Sequence, residues 1–191
     1  GLEQVLNTRR YRSLVICRPV MPVGKDIGFL PGDLNEKLEP WLAPIKDNLR
    51  FLLGASEPPK DLNSGTRKKK LAEQQPKFDE QVLQSYFEEG IIEVQAMTFI
   101  RGRSIANAYI IIDEAQNTNL HEIKTILTRV GENTKIVLTG DLEQIDSTYV
   151  DSVSNGLSIA IERFKSQKIS GHVTFLKGER SQLATIASEI L

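Results

Sequence analysis

Two carboxylates stand side by side where an apolar run stops: Tyr109-Ile110-Ile111-Ile112 is followed directly by Asp113-Glu114. A strand ending in such a pair suits phosphoryl transfer, because rigid backbone delivers both acids to the C-terminal edge of a sheet, where open α/β folds bind ligands. Asp113 would then hold Mg²⁺ through oxygen or water contacts, and Glu114 would polarise the attacking water. A plainer alternative stays open: two acids that end a strand and favour the start of the next helix.

A second run, Lys135-Ile136-Val137-Leu138-Thr139-Gly140-Asp141, also passes from apolar to polar, and Gln144 follows three residues later. Thr139, Gly140 and Asp141 are candidates for the nucleotide side of such a site, and Gln144 for sensing a γ-phosphate or aligning the water. By itself Gly140-Asp141 is equally an ordinary turn. Its position one helix after the acid pair is what sets it apart. Arg180, in Gly178-Glu179-Arg180-Ser181, would stabilise charge on a transferred phosphoryl group in cis or across a subunit boundary, or else make a surface salt bridge. Arg101 and Arg103 flank Gly102 just before the acid-bearing strand, where they suit nucleic-acid phosphates or a salt-bridged turn.

These side chains need elements to position them. Short β-rich runs recur at Ser13 to Cys17, Ile91 to Ala96, Tyr109 to Asp113, Lys135 to Thr139 and His172 to Leu176, with helical patterns between most of them. That alternation predicts an α/β fold, a mostly parallel sheet covered by helices on both faces. Consecutive apolar residues in Tyr109 to Ile112 predict a central strand buried on both sides. Leu120, Ile123, Ile126, Leu127 and Val130 form a helical stripe, with Thr118 and Asn119 as capping candidates and Gly131 closing it. Ser158 to Phe164 and Gln182 to Leu191 also read as helices. Trp41 suits packing on an amphipathic helix or stacking on a base, and His121 and His172 suit structural roles.

Composition bounds the function classes. The chain has 191 residues, 40% hydrophobic and 26% charged, with a formal net charge of -1, so any nucleic-acid contact must be a local patch. Residues 55–77 carry Pro58, Pro59, Gly65, Pro76 and the basic run Arg67 to Lys70, and are expected to be an exposed polar insertion within a single domain spanning 1–191. Cys17 is the single cysteine, and no apolar run approaches the roughly 20 residues of a membrane span, so a reducing, cytoplasmic compartment is expected. The first residues show no secretory pattern and no initiator methionine, as in a processed or excised piece.

Several longer motifs together resemble the PhoH-like ATPase family. They are Thr98-Phe99-Ile100-Arg101-Gly102-Arg103-Ser104-Ile105, Ile110 to Asn117, Leu127-Thr128-Arg129-Val130-Gly131, Arg18-Pro19-Val20, Gly24 to Gly32, and Thr139-Gly140-Asp141 with Gln144. The resemblance spans nearly the whole chain except the Ala55 to Lys77 insertion. It implies a three-layer RecA-like core similar to the first core domain of superfamily-1 helicases, with ATP and Mg²⁺ as ligands. Asn155-Gly156-Leu157, Glu162 to Lys165 and Lys177 to Ser181 look most like the branch that carries an N-terminal PIN-type nuclease domain, which is absent from these residues. RNA is the partner implied by that branch, with a homo-oligomer a further reading that would let Arg180 act across subunits.

One departure stands out. The family's glycine-rich loop ending in Gly-Lys-Thr or Gly-Lys-Ser is expected to precede Gly1, together with its strand. Gly24-Lys25-Asp26 does not substitute, since Pro19 stands where the spacing needs glycine and Asp26 where it needs a hydroxyl. The missing strand is expected between Lys135 to Thr139 and His172 to Leu176, so those two would pair directly, borrow a strand, or leave a gap, the last being preferred. The 191 residues alone are expected to hydrolyse ATP negligibly. A non-enzymatic nucleic-acid-binding or assembly module that keeps its acidic motifs by descent remains the alternative, and an enzyme completed by a separate polypeptide is a third.

Overall fold

The computed structural model describes residues 1–20, 34–54, 80–100, 104–147, 149–175, 183 and 186, with backbone alone for 34–39, 41 and 80. The expected insertion at 55–77 lies outside them, and so does the whole Gly24 to Gly32 motif. Trp41 lies within a helix, in the part described by backbone alone.

Among the described residues four strands form one parallel sheet: β1 (Ser13–Arg18), β2 (Ile92–Ala96), β3 (Ala108–Ile112) and β4 (Lys135–Leu138). Their order is β2-β1-β3-β4, so β1 and β3 are central. The apolar run expected to be central is central. This is an α/β fold consistent with a RecA-like core.

Side chains alternate across a strand, and the register aligns Leu14 with Ile92 and Tyr109, and Ile16 with Val94 and Ile111. That face packs against Ile45 and Leu49 of α1 (Leu34–Leu52) and Leu83 of α2 (Glu80–Glu88). The N-terminal turn Glu3–Asn7 adds Val5. Tyr11 and Tyr109 meet edge to face at 5.6 Å, the arrangement their ring quadrupoles favour.

Val15, Cys17, Ile110 and Ile112 point the other way and are also buried. The connections from β1 to β2 and from β3 to β4 step outward in opposite directions, so right-handed crossovers place their helices on opposite faces of the sheet. The second of these is α3 (Leu120–Leu127), whose Ile123 and Ile126 are buried.

Asn119 caps α3 as the sequence predicts: its side chain accepts from Glu122 N at 3.0 Å, and the Glu122 carboxylate accepts from Asn119 N at 2.9 Å. The helix stops at Leu127, short of Gly131. Val130 is drawn off into a parallel bridge with Ile105, and Gly131 N donates to Ile105 O at 2.7 Å. A longer-range pairing thus ends the helix before its apolar stripe does.

The chain divides into two compact units, Gly1–Ile159 and Ala160–Leu191. The last described helix, α4 (Gly156–Phe164), starts beyond a turn in which Asp151 accepts from Val153 N and Ser154 N at 2.8 and 2.7 Å. Those bonds hold the Asp151 carboxyl below the usual range.

The strand expected at His172 to Leu176 is not formed over 171–175, where Val173 and Phe175 are exposed and unpaired with any strand. The outer edge of β4 meets no strand among the described residues. An alternating pattern alone does not make a strand; it needs a neighbour to take its backbone bonds. Of the helix expected over Gln182 to Leu191, Leu183 and Ile186 are described and are helical.

Leu14→Ala, at a site 1% exposed in the packed face of β1, is expected to lower stability by about 3 kcal/mol. Phe51→Ala, at 67% exposed on α1, is expected to change it by less than about 0.5 kcal/mol. Urea unfolding of both variants checks the assignment of the core face.

Candidate functional site

The parallel register decides what meets at the C-terminal edge. Cys17 lies beside Ile112, and Ile112 beside Leu138, so the next residues along the three chains are Arg18, Asp113 and Thr139. Continuing the alternation puts all three on one face. The contacts agree: Thr139 Oγ1 donates to Asp113 Oδ1 at 3.0 Å, and Arg18 Nε lies 3.7 Å from Asp113 Oδ2. Backbone bonds fix the row, with Asp113 N donating to Cys17 O and Thr139 N to Ile112 O, each at 2.9 Å.

Glu114 would face away if the strand ran on. Instead its backbone is left-handed, φ 55° and ψ 39°, which costs a non-glycine residue about 1–2 kcal/mol. The reversal returns its carboxylate toward the row, where Arg18 Nη2 donates to Oε1 at 2.6 Å. A short 3₁₀ turn, Ala115–Asn117, follows, tied by Ala115 N to Thr139 O at 2.9 Å and by Thr118 Oγ1 to Ala115 O at 2.6 Å.

Gln116 is fully buried and joins the two candidate segments. Its Nε2 donates to Glu114 Oε2 at 2.7 Å and to Gln144 O at 2.8 Å, and its Oε1 accepts from Asp141 N at 3.2 Å. Next to it, Asn117 Oδ1 accepts from Asp146 N and Ser147 N at 2.8 and 3.2 Å. The loop after β4 is thus held by two amide side chains from the turn after β3. Gly140 permits this approach: a Cβ there would lie 2.3 Å from Gln116 Oε1 and 2.8 Å from Leu157 Cδ2. The glycine serves close packing here, a more specific need than a generic turn.

Asp141 accepts from Glu143 N at 3.0 Å and from Gln144 Nε2 at 2.7 Å. Asp113, Glu114, Thr139, Gly140, Asp141 and Gln144 therefore share one network at the edge of the sheet. Arg101, Arg103 and Arg180 lie outside the described residues. Arg18, Gln116 and Asn117 carry the geometry and were visible in the sequence only as members of longer motifs. For Arg18 the available signal was that it ends an apolar run just as Asp113 does.

Charge and access set what the network can do. The side chains of Asp113 and Glu114 are 38% and 31% exposed, so a ligand can reach both. Among the described residues no three His, Cys, Asp or Glu side chains gather as a metal cage. Mg²⁺ needs none, since it is held by one or two carboxylates with waters and substrate phosphates completing the shell. The half-open Asp113 carboxylate, with the Thr139 hydroxyl beside it, has the hard oxygen chemistry that fits. Among the described residues no helix is long and apolar enough to cross a membrane.

Comparison with known proteins gives the family of the chain. The family described as "PhoH-like protein" matches residues 2–189. Protein PhoH2 of Bacillus subtilis is 51% identical over 191 residues, all of this chain and 38% of that protein. Protein PhoH2 of Mycolicibacterium smegmatis is 34% identical over 192 residues, again all of this chain and 38% of its own length. Protein PhoH of Escherichia coli K12 is 36% identical over 164 residues, 86% of this chain and 39% of that protein. The chain thus spans less than two fifths of the length of these relatives. With a matched profile over nearly its full length, the chain belongs to the PhoH-like protein family.

Proposed function

We propose that these residues form the ATP-hydrolysing core of a PhoH-like protein that couples hydrolysis to RNA remodelling or unwinding. The observation that carries this reading is the row Arg18, Asp113, Thr139 at the C-terminal edge of a parallel sheet, with Glu114 turned back onto it and tied through Gln116 to the Asp141–Gln144 loop. Open parallel sheets bind phosphorylated ligands at this edge.

Asp113 would hold Mg²⁺, which when bound neutralises charge on the phosphate oxygens. Thr139 fixes the Asp113 carboxylate by its 3.0 Å bond. Glu114, as a half-exposed carboxylate, orients the attacking water and takes up its proton. Gln144 and Asp141 are bonded to each other beside it, within reach of a rearrangement that reports an occupied site. Arg180 would stabilise the transferring group, from the same chain or from a neighbouring subunit in an oligomer. The 191 residues hold no Gly-x-x-x-x-Gly-Lys-Thr/Ser run, so the cradle for the phosphates would come from outside them, and by themselves they should hydrolyse ATP negligibly.

Glu114→Gln in the full-length protein is expected to keep nucleotide affinity while lowering kcat by about 100-fold or more. Steady-state ATPase assays with parallel binding titrations check this. Wild-type turnover in the variant would remove Glu114 from the mechanism, and a wild-type protein that binds RNA without turnover would favour a non-enzymatic assembly module.

Arg101 and Arg103 are proposed to contact RNA phosphates. Affinity for single-stranded RNA should then fall steeply with salt, and replacing both by alanine should flatten the log–log slope by about 1.4. Fluorescence anisotropy over a salt series measures it; an unchanged slope would place the contact elsewhere.

A further inference from the structure

We infer that Arg18 is the positioning residue that aims Glu114 for water activation, a role that rests on the ATPase reading above. The Glu114 carboxylate is held at both oxygens from different elements. Arg18 Nη2, from the end of β1, donates to Oε1 at 2.6 Å, and Gln116 Nε2, from the following turn, donates to Oε2 at 2.7 Å. Two anchors on two oxygens fix both the direction and the plane of the carboxylate, which a single anchor would leave free to rotate.

The geometry favours aiming over blocking. A carboxylate offers about four lone-pair sites, so each Glu114 oxygen keeps one after its anchor is served. The carboxylate is 31% exposed, so water reaches those sites. The guanidinium also faces Asp113, with Nε 3.7 Å from Oδ2, and so spans adjacent acids that repel one another. Its fork can address both at once, whereas the compact ammonium of a lysine would sit on one.

Arg18 is suited to this task by its place. It is the last residue of β1, paired with Ala96 of β2 and one step beyond the Cys17 and Ile112 register with β3, and its side chain is 23% exposed. A group this constrained holds its partner at little further entropic cost. Gln116 alone would leave Glu114, already in left-handed backbone, with one free oxygen and no counter-charge.

The test is a double-mutant cycle in the full-length protein, measuring kcat, nucleotide affinity and thermal midpoint for wild type, Arg18→Ala, Glu114→Gln and the double variant. Arg18→Ala is expected to lower kcat by about 10- to 100-fold, with nucleotide affinity within about threefold of wild type. In the Glu114→Gln background the same change should cost nothing further, because the residue acts through Glu114. Arg18→Lys should recover only part of the rate, and millimolar guanidinium should partly restore Arg18→Ala but not the double variant. Equal losses in both backgrounds would show that Arg18 acts independently of Glu114 and overturn the inference. So would wild-type kcat in Arg18→Ala, or a loss of rate matched by a collapse of the thermal midpoint in both Arg18→Ala and Arg18→Lys. If Glu114→Gln is impaired while Arg18→Ala is not, the ATPase reading survives and this inference fails; if wild type shows no turnover, both fail.

Discussion

A buried amide with three hydrogen bonds is the constraint around which this site is arranged. Gln116 is shut off from water, and an unmet polar group there costs about 1–3 kcal/mol. Its three partners come from different places: the Glu114 side chain, the Gln144 carbonyl and the Asp141 amide. Meeting them requires that the loop after β4 come close, which excludes a side chain at position 140. It also gives Glu114 a partner only if its backbone turns left-handed. The strain at Glu114 is offset by bonds to Gln116 and Arg18, so the unusual backbone and the two-sided grip on the carboxylate are one feature.

The sheet supplies the rest by register. Parallel strands with aligned ends place residues of distant sequence in a row, and here Arg18, Asp113 and Thr139 meet although 95 and 26 positions separate them along the chain. The acids are thereby held on rigid backbone, next to a loop tied by the side chains of Gln116 and Asn117. Such a coupling suits a site that must register an occupied nucleotide position, which is the role proposed for Asp141 and Gln144.

Much of this was legible from residue order. Apolar runs located four of the five expected strands within a residue or two, and the acid pair and the Thr139-Gly140-Asp141 segment stood out because each breaks an apolar run. The fifth run, at His172, is β-rich yet is not a strand over 171–175. Pairing is a property of neighbours, and local pattern does not encode it. The same limit hid Arg18, whose partners depend on register, and Gln116, whose burial depends on the loop that folds over it. The early end of α3 likewise follows from the Ile105 bridge to Val130, a contact 25 residues apart that overrides the helical stripe.

In the proposed ATPase, Gln116 is the link that transmits order from the Asp141–Gln144 loop to Glu114. Replacing it with methionine keeps the volume and removes all three bonds. The direct measurement is single-turnover hydrolysis of Mg-ATP by full-length Gln116→Met, with nucleotide binding and folding followed in parallel. The variant is expected to fold, to bind nucleotide and to hydrolyse it about 10- to 100-fold more slowly. A folded variant with the wild-type single-turnover rate would contradict this role of Gln116.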